Sequence, residues 1–538
     1  MKHTWITSKK GQLITSGALC LGLLSGAVSA DSTAALWPSA GNDLQNTHFQ
    51  GNTSLSPQKV GQLQVQWSFT TGGDVSATPS VDANNIYFPD WGGNLWALDR
   101  ATGQAVWHTH ISDYTGLAGN PDQHIGPDIA RDTPAIAGDL LIFGDQAGYH
   151  GGQTGYVMAV NKYTGALVWK TAVGSVFTIV TQSPVVDNNT VYIGTASSEE
   201  AYEGFIPNYP CCSFRGAIYA LDLQTGQVKW QTYMAPEGYS GNSVWGSTPV
   251  VDHKRNSLYI TTGNNYAVPA AVQSCFAAAG TDQSAIQACV GTMSPDNHTD
   301  SIVSLDLDTG AIKWSTAGIP FDAFNLDCFP DLLPPGYIVN PQNCPAPAGP
   351  DYDFAQGAML YSKNGTDFIA AGQKSGQFWA LNPDTGAVIW KTQAAPGGFG
   401  GGLEWGSSTD GKQIYFASAN TVHKPWVVNG NTVISGNWGA LDAGTGALVW
   451  QTADPVSTAT DSGAVSSING VMFACSQDVK GHMYAMDSSN GNILWSFASG
   501  GSCNAAPAIS GGNVYWGSGY SNFGSGTGNN KLYAFKLP

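Results

Sequence analysis

Basic residues are scarce in this chain. Its 538 residues include 21 Lys plus Arg against 38 Asp plus Glu, a net charge of −17, and no Lys/Arg-rich run interrupts the acidic balance. A basic face that grips phosphate backbones is missing, which argues against nucleic acid as a partner. No Cys-x-x-Cys-His occurs either, so the chain is expected to carry no c-type haem of its own. Beyond the first thirty residues no apolar run approaches the roughly 20 residues that span a bilayer, which argues against a membrane span. What the chain has in quantity is glycine and aromatic surface: 67 Gly, 18 Trp, 42% apolar residues and 11% aromatics. That is far more burial potential than a disordered chain possesses.

The N-terminus follows different rules. Lys2, Lys9 and Lys10 precede the uncharged stretch GQLITSGALCLGLLSGA, and Ala27-Val28-Ser29-Ala30 fits a small-x-small cleavage site. Residues 1–30 read as a secretory signal peptide, the run being too short and too rich in Gly and Ser for a membrane anchor. Cleavage leaves 18 basic and 38 acidic residues from Asp31 onward, a net charge of −20 on a periplasmic or secreted protein. Cys20 departs with the signal, and eight cysteines remain: Cys211, Cys212, Cys275, Cys289, Cys328, Cys344, Cys475 and Cys503. An even count in an exported chain predicts disulfides. Proximity suggests Cys275 with Cys289 and Cys328 with Cys344, each closing a loop of about 15 residues and stabilising by roughly 3 kcal/mol. The neighbours Cys211 and Cys212 have Cα atoms about 3.8 Å apart, closer than the usual range for a disulfide.

One phrase recurs seven times: GNLWALDRATGQAVW (93–107), GYVMAVNKYTGALVW (155–169), GAIYALDLQTGQVKW (216–230), DSIVSLDLDTGAIKW (300–314), GQFWALNPDTGAVIW (376–390), NWGALDAGTGALVW (437–450) and GHMYAMDSSNGNILW (481–495). Each couples an alternating apolar strand to a turn with Thr-Gly or Asn-Gly and then to a short strand ending in Trp, the pattern of a β-hairpin whose Gly supplies a positive φ. Between hairpins stand Thr78-Pro79, Thr133-Pro134, Ser183-Pro184, Thr248-Pro249 and Ala506-Pro507, each followed by another strand. Four strands per unit make a propeller blade. The chain ends in Lys531-Leu532-Tyr533-Ala534-Phe535, half a hairpin, and the missing half is Leu63-Gln64-Val65-Gln66-Trp67 near the start. Joining them closes an eighth blade and removes the long free edges. The expected fold is all-β, a single eight-bladed β-propeller over residues 31–538 with an N-terminal arm at 31–60.

The pattern A-x-D-x-x-T-G-x-x-x-W resembles the tryptophan-docking repeat of the pyrroloquinoline quinone (PQQ) alcohol dehydrogenases, the quinoproteins, over essentially the whole mature chain. Trp37 with Asn42-Asp43-Leu44-Gln45-Asn46-Thr47 is similar to the opening of those enzymes. Tyr209-Pro210-Cys211-Cys212-Ser213-Phe214-Arg215-Gly216, Gly349-Pro350-Asp351-Tyr352-Asp353-Phe354 and Tyr515-Trp516-Gly517-Ser518-Gly519-Tyr520 most resemble the polyvinyl alcohol dehydrogenase group. Repeats of this kind also build non-catalytic scaffolds, so function rests on the irregular residues. PQQ is a flat ortho-quinone with three carboxylates and requires an aromatic face, cationic or amide donors and a hard-cation site.

The resemblance supplies candidates for each requirement. Trp245, in a Trp-Gly step 19 residues before Asn264, matches the ring that stacks on the quinone. Asn264, in a Gly-Asn step, matches a calcium ligand. Glu199, 15 residues after Pro184 of Thr181-Gln182-Ser183-Pro184, matches the calcium-ligating Glu, with Glu200 competing, and Thr181 matches a cofactor hydrogen-bond donor. Arg131 matches an Arg that pairs with PQQ, and Lys374 the cation beside the quinone oxygens. Cys211-Cys212 is similar to the vicinal disulfide that lids the quinone in related enzymes. Ser76 stands where relatives often have a cofactor-binding Glu. The pattern breaks at the catalytic base: Pro320-Phe321-Asp322-Ala323-Phe324-Asn325-Leu326-Asp327 puts Asn325 at the family's Asp position, and an amide is no general base at neutral pH. Asp322 is the expected replacement, with Asp327 the alternative. The resemblance implies a PQQ- and Ca²⁺-dependent oxidation of an alcohol to a carbonyl compound, with electrons passed to a separate cytochrome c. A protein-binding scaffold and a PQQ-dependent sugar or aldehyde dehydrogenase are the alternatives.

Overall fold

Each repeat phrase folds as the two outer strands of a four-stranded antiparallel sheet. The computed structural model describes residues 36–119, 126–204, 206–246, 248–329, 337–522 and 526–538, and the expected signal peptide lies outside them. Eight sheets follow one another as blades, innermost strand first: blade 1 at 80–110, blade 2 at 135–172, blade 3 at 185–233, blade 4 at 250–317, blade 5 at 359–393, blade 6 at 408–453, blade 7 at 466–498 and blade 8 at 508–536. The outermost strand of blade 8 is Gln64–Thr70, paired antiparallel with Lys531–Lys536, so the two ends of the chain close the ring. Second strands such as Leu140–Gly144 are buried throughout because blades cover both faces. Outermost strands such as Val228–Tyr233 alternate between exposed and half-buried side chains.

The repeat's Trp fastens one blade to the next. Within its own blade it faces a small residue, as Trp107 faces Ala97, Trp230 faces Ala220 and Trp67 faces Ala534. Its indole then lies on the turn glycine of the following blade. A Cβ on Gly103 would come within 2.5 Å of the Trp67 ring, and one on Gly226 within 2.5 Å of Trp169. In seven blades the indole N–H also donates to a main-chain carbonyl of the next, as Trp107 does to Lys162 O at 2.9 Å and Trp495 to Leu63 O at 3.0 Å. The Thr two residues on adds a bond to the glycine carbonyl, as in Thr171 Oγ1 to Gly226 O at 2.7 Å.

The arm runs across the inner strands. Trp37 exchanges two main-chain bonds with Val81 of blade 1, and the carbonyls of Pro38, Leu44, Gln45, Thr47 and His48 accept from Ile136, Val251, Leu360, Thr409 and Ser467. Gln50 Nε2 donates to Ile509 O of blade 8. Seven of the eight inner strands thus have their free edges paired by one short segment, which closes one side of the axis. Phe49–Gln50 pairs parallel with blade 7.

Trp37 is fully buried, and its indole N–H is spent on Ala40 O. Trp37→Ala is expected to lower unfolding stability by about 3–5 kcal/mol, the usual range for a large aromatic removed from a core. Denaturant unfolding checks it, and an unchanged midpoint would show that the arm lies on the ring without holding it.

Candidate active site

The residues just before each inner strand line the axis. Arg131, Thr181 and Trp245 stand four or five positions ahead of the inner strands beginning at 135, 185 and 250, and Trp405 stands three ahead of 408. The repeat therefore brings to one place residues far apart in sequence. Around them lie a cavity of ≈ 240 Å³, lined by Trp245, Lys374, Asp351, Asp353, Glu200 and Asn264 among others, and one of ≈ 420 Å³ that shares Trp245 and includes Arg131, Glu404 and Trp405. Both lie in the order of magnitude of small-molecule sites, roughly 300–1,000 Å³.

Lys374 sits in the turn between the second and third strands of blade 5 and is buried. Its ammonium lies 3.0 and 3.1 Å from the two Asp351 oxygens and 3.1 Å from Asp353 Oδ2. It also stands 5.4 Å from the centroid of the Trp245 ring, within cation–π range. Burial alone would lower this amine, yet Asp351 and Asp353 outweigh it and hold it well above the ordinary lysine range. Asp353 is the hub of the wall: Oδ2 accepts the Trp245 indole N–H at 3.0 Å and Oδ1 the Asn264 main-chain N–H at 2.7 Å. Gly263 admits that carboxylate, because a Cβ there would sit 2.8 Å from Asp353 Oδ1. Asn264 spends its side-chain NH₂ on the carbonyls of Asn265 and Phe324 at 2.9 and 2.7 Å, which leaves its Oδ1 as the atom it offers to a cation.

Arg131 lies over two rings, 5.4 Å from the Trp91 centroid and 5.0 Å from that of Trp405. Trp405 meets Trp245 edge to face at 5.3 Å. Thr181 donates to Trp245 O at 3.4 Å, and Ser76 accepts the Trp91 indole N–H at 2.8 Å on the axial side. Thr181, Trp245, Asn264, Lys374 and Arg131 are thus brought together.

Four expected residues lie elsewhere. Glu199 is fully buried and accepts from Ser213 N, Ser213 Oγ, Phe214 N and Tyr209 Oη at 2.8–3.0 Å, which turns it toward the 209–214 loop. Its neighbour Glu200 lines the cavity with a buried, unpartnered Oε1, and burial followed by the nearby Asp351 pushes its carboxyl well above the usual range. Cys211 and Cys212 form a disulfide, as do Cys275–Cys289, Cys328–Cys344 and Cys475–Cys503. The Cys211–Cys212 pair packs beside Glu203 and does not line the cavity. The reason is an attachment: Asn208 N donates to Asn340 Oδ1 and Asn343 Nδ2 to Tyr209 O, which ties this loop to the 337–344 segment. Asp322 accepts the main-chain N–H groups of Asp351 and Tyr352 at 3.2 and 2.7 Å and holds that loop from outside the cavity. Asp327 likewise serves Asn340 N and Asn343 Nδ2.

Asp351 and Asp353 are the carboxylates that sequence reading passed over, although Gly349-Pro350-Asp351-Tyr352-Asp353-Phe354 was already distinctive. Two acids one residue apart, in a chain with 11% charged residues, were the available signal. The buried Asp132 beside Arg131 has a structural part. One oxygen accepts Gly144 N at 2.8 Å, the other has no partner, and burial pushes it up to about 8. The unfolded carboxyl ionises near 4, so the stability tied to its protonated form is complete below about pH 4 and is lost as pH rises through 8. Thermal stability is expected to decline from pH 5 to 8, and Asp132→Asn to remove part of that slope; equal slopes in both proteins would refute the assignment.

A family model described as glucose/ethanol/alcohol dehydrogenase, beta-propeller domain, matches residues 37–331. That is more than half of the chain, which belongs to this family of PQQ-dependent alcohol dehydrogenases. A model described as outer membrane protein assembly factor BamB matches residues 435–535. The chain is 28% identical to the polyvinylalcohol dehydrogenase of Sphingopyxis sp. (strain 113P3), covering 93% of this chain and 76% of that protein. It is 27% identical to the polyvinylalcohol dehydrogenase of a Pseudomonas species, covering 91% and 74%. Among solved structures, the quinohemoprotein alcohol dehydrogenase from Comamonas testosteroni matches with a TM-score of 0.65 at 18% identity over 94% of this chain and 80% of that one, a likeness of fold.

Proposed function

We propose that this chain is an exported, calcium- and PQQ-dependent dehydrogenase that oxidises secondary or polymeric alcohols of the polyvinyl alcohol kind and hands the electrons to a separate soluble cytochrome c. The observation that carries the reading is the buried Lys374 ammonium held by Asp351 and Asp353 beside the ring of Trp245. The printed names of the relatives support the substrate class. Four disulfides and the signal-like N-terminus support export. No helix among the described residues is long and apolar enough to cross a membrane. The acidic charge suits a positively charged electron carrier.

The donors present fit the cofactor and its cation. Trp245 offers an aromatic face, Arg131 and Thr181 offer donors for carboxylates, and Glu200 with Asn264 Oδ1 offers hard oxygen ligands. When bound, PQQ supplies the two-electron acceptor and calcium the Lewis acidity that polarises it. Lys374 stabilises negative charge that develops beside it. Asp353, held between Trp245, Asn264 and Lys374, takes the alcohol's hydroxyl proton, while Asp351 shares the Lys374 ammonium and fixes it in place. Glu199 and Asp322, first considered as ligand and base, act in this reading as anchors of the loops that carry Ser213–Phe214 and Asp351–Tyr352.

The first test is titration of metal-stripped protein with PQQ and Ca²⁺, followed by quinone absorbance and Trp fluorescence. Glu200→Gln is expected to weaken calcium-dependent PQQ binding more than tenfold, and Glu199→Gln to change it by no more than a few-fold. The reverse order would return the ligand role to Glu199, and no binding by the unmodified protein would leave the propeller a scaffold. In loaded enzyme, Asp353→Asn is expected to keep PQQ bound and lower kcat with a secondary alcohol by about 10²–10⁴, the usual worth of a general base. Full turnover in that variant would move the role to another carboxylate.

A further inference from the structure

Glu404 is the one charged residue in the glycine-rich segment Pro396–Gly406, and the reading above gives it no part. The segment is fixed tightly. Gly398 N and Leu403 N donate to the carbonyls of Lys374 and Gln373, Trp405 N donates to Ala355 O, and the Leu403 side chain is fully buried. Gly401 leaves room for the acid, since a Cβ there would lie 2.5 Å from the Glu404 carboxyl carbon. The side chain lines the ≈ 420 Å³ cavity that shares Trp245 with the cation-binding side. The charged and titratable groups that face it are Lys374 and Asp353 on one side and Arg131 and Tyr520 on the other. Burial pushes the Glu404 carboxyl up to about 7, with Lys374 and Arg131 pulling it down and Asp353 pushing it up.

Counting formal charges shows why such a group matters. Glu200, Asp351, Asp353 and Glu404 bring four negative charges, and Lys374 and Arg131 bring two positive ones. A quinone with three carboxylates adds three more negatives, and a divalent cation returns only two positives. Charge gathered in a partly desolvated cavity is costly, and proton uptake is the usual relief. Asp351 and Asp353 are engaged by Lys374, whereas Glu404 faces the adjoining cavity across Trp245 without forming an ion pair within the described residues. Resting on the PQQ reading above, we propose that Glu404 is the proton-linked group of cofactor capture: its carboxylate takes one proton from solvent as the polycarboxylate quinone binds, and releases it when the quinone leaves. Cofactor loading is then favoured in mildly acidic surroundings.

The test is calorimetric titration of metal-stripped, calcium-saturated full-length protein with PQQ in two buffers of different ionisation enthalpy at pH 8, alongside Glu404→Gln. The unmodified protein is expected to take up close to one proton more per PQQ than Glu404→Gln. Its Kd is expected to rise about tenfold between pH 6 and 8, as follows for a carboxyl titrating near 7 that binds its proton tightly once the quinone is present. In Glu404→Gln the dependence should flatten, and Glu404→Asp should restore it. Equal proton uptake in the two proteins overturns the proposal, and so does a flat Kd in the unmodified protein, a result that needs no variant to fold. Failure of the unmodified protein to bind PQQ at any pH overturns the functional reading itself and the proposal with it.

Discussion

An indole laid on the next blade's glycine is the contact from which the molecule's geometry follows. A side chain on Gly103 or Gly226 would drive into the Trp67 or Trp169 ring, so the glycine that makes each hairpin turn is also the floor on which the neighbouring blade docks. Because the ring meets a backbone rather than a deformable side chain, blade-to-blade spacing is set by main-chain geometry and repeats around the axis. The terminal strands close the circle with the same register, Trp67 opposite Ala534. A closed ring with a paired arm cannot open on one side without breaking several of these contacts together. Positions a few residues ahead of each inner strand are therefore held at fixed places around the axis, which is what a site assembled from Arg131, Thr181, Trp245 and Trp405 requires.

Charge argues that the axis does chemistry. The chain is poor in cations, yet Lys374 and Arg131 both lie there beside carboxylates that water barely reaches. Burying such groups is tolerated only when they are paired, and apolar replacements of similar volume are often at least as stable. A propeller serving only as scaffold gains nothing from a buried ammonium between two aspartates. The family assignment and the electrostatics thus point the same way, and the electrostatics singles out the wall made by Asp353, Lys374 and Trp245.

How much was legible in the sequence followed from which residues obey the repeat. Blade number, ring closure and strand order were legible because alternation, turn glycine and docking Trp recur at fixed offsets. Trp245, Thr181, Asn264, Arg131 and Lys374 were picked out by resemblance to the family's motifs, and they come together because each stands just outside a regular strand. Glu199 against Glu200 was not, since adjacent positions on a single helical turn, Glu199–Glu203, face different ways and only the bonds from Ser213 and Phe214 decide which acid turns aside. The place of the vicinal cysteines was not legible either, because their loop is fastened by Asn340 and Asn343, more than a hundred residues away in the chain.

The long connection between blades 4 and 5 also carries Asp322 and Asn325. Asp322 holds the main-chain N–H groups of Asp351 and Tyr352, and Gly349 must lack a side chain because a Cβ would overlap Asp322 Oδ1. Asp322 thus holds the loop that carries Asp351 and Asp353 beside Lys374. Asn325, which the resemblance sets at the family's base position, donates its amide hydrogens to the carbonyls of Tyr266 and Asn343 at 3.3 and 2.9 Å. A carboxylate has no hydrogens to give and would face both carbonyls with its own negative charge. The amide at 325 thus ties this long connection to Tyr266 and Asn343, while the carboxylate at 353, the proton acceptor we propose, stands beside Lys374.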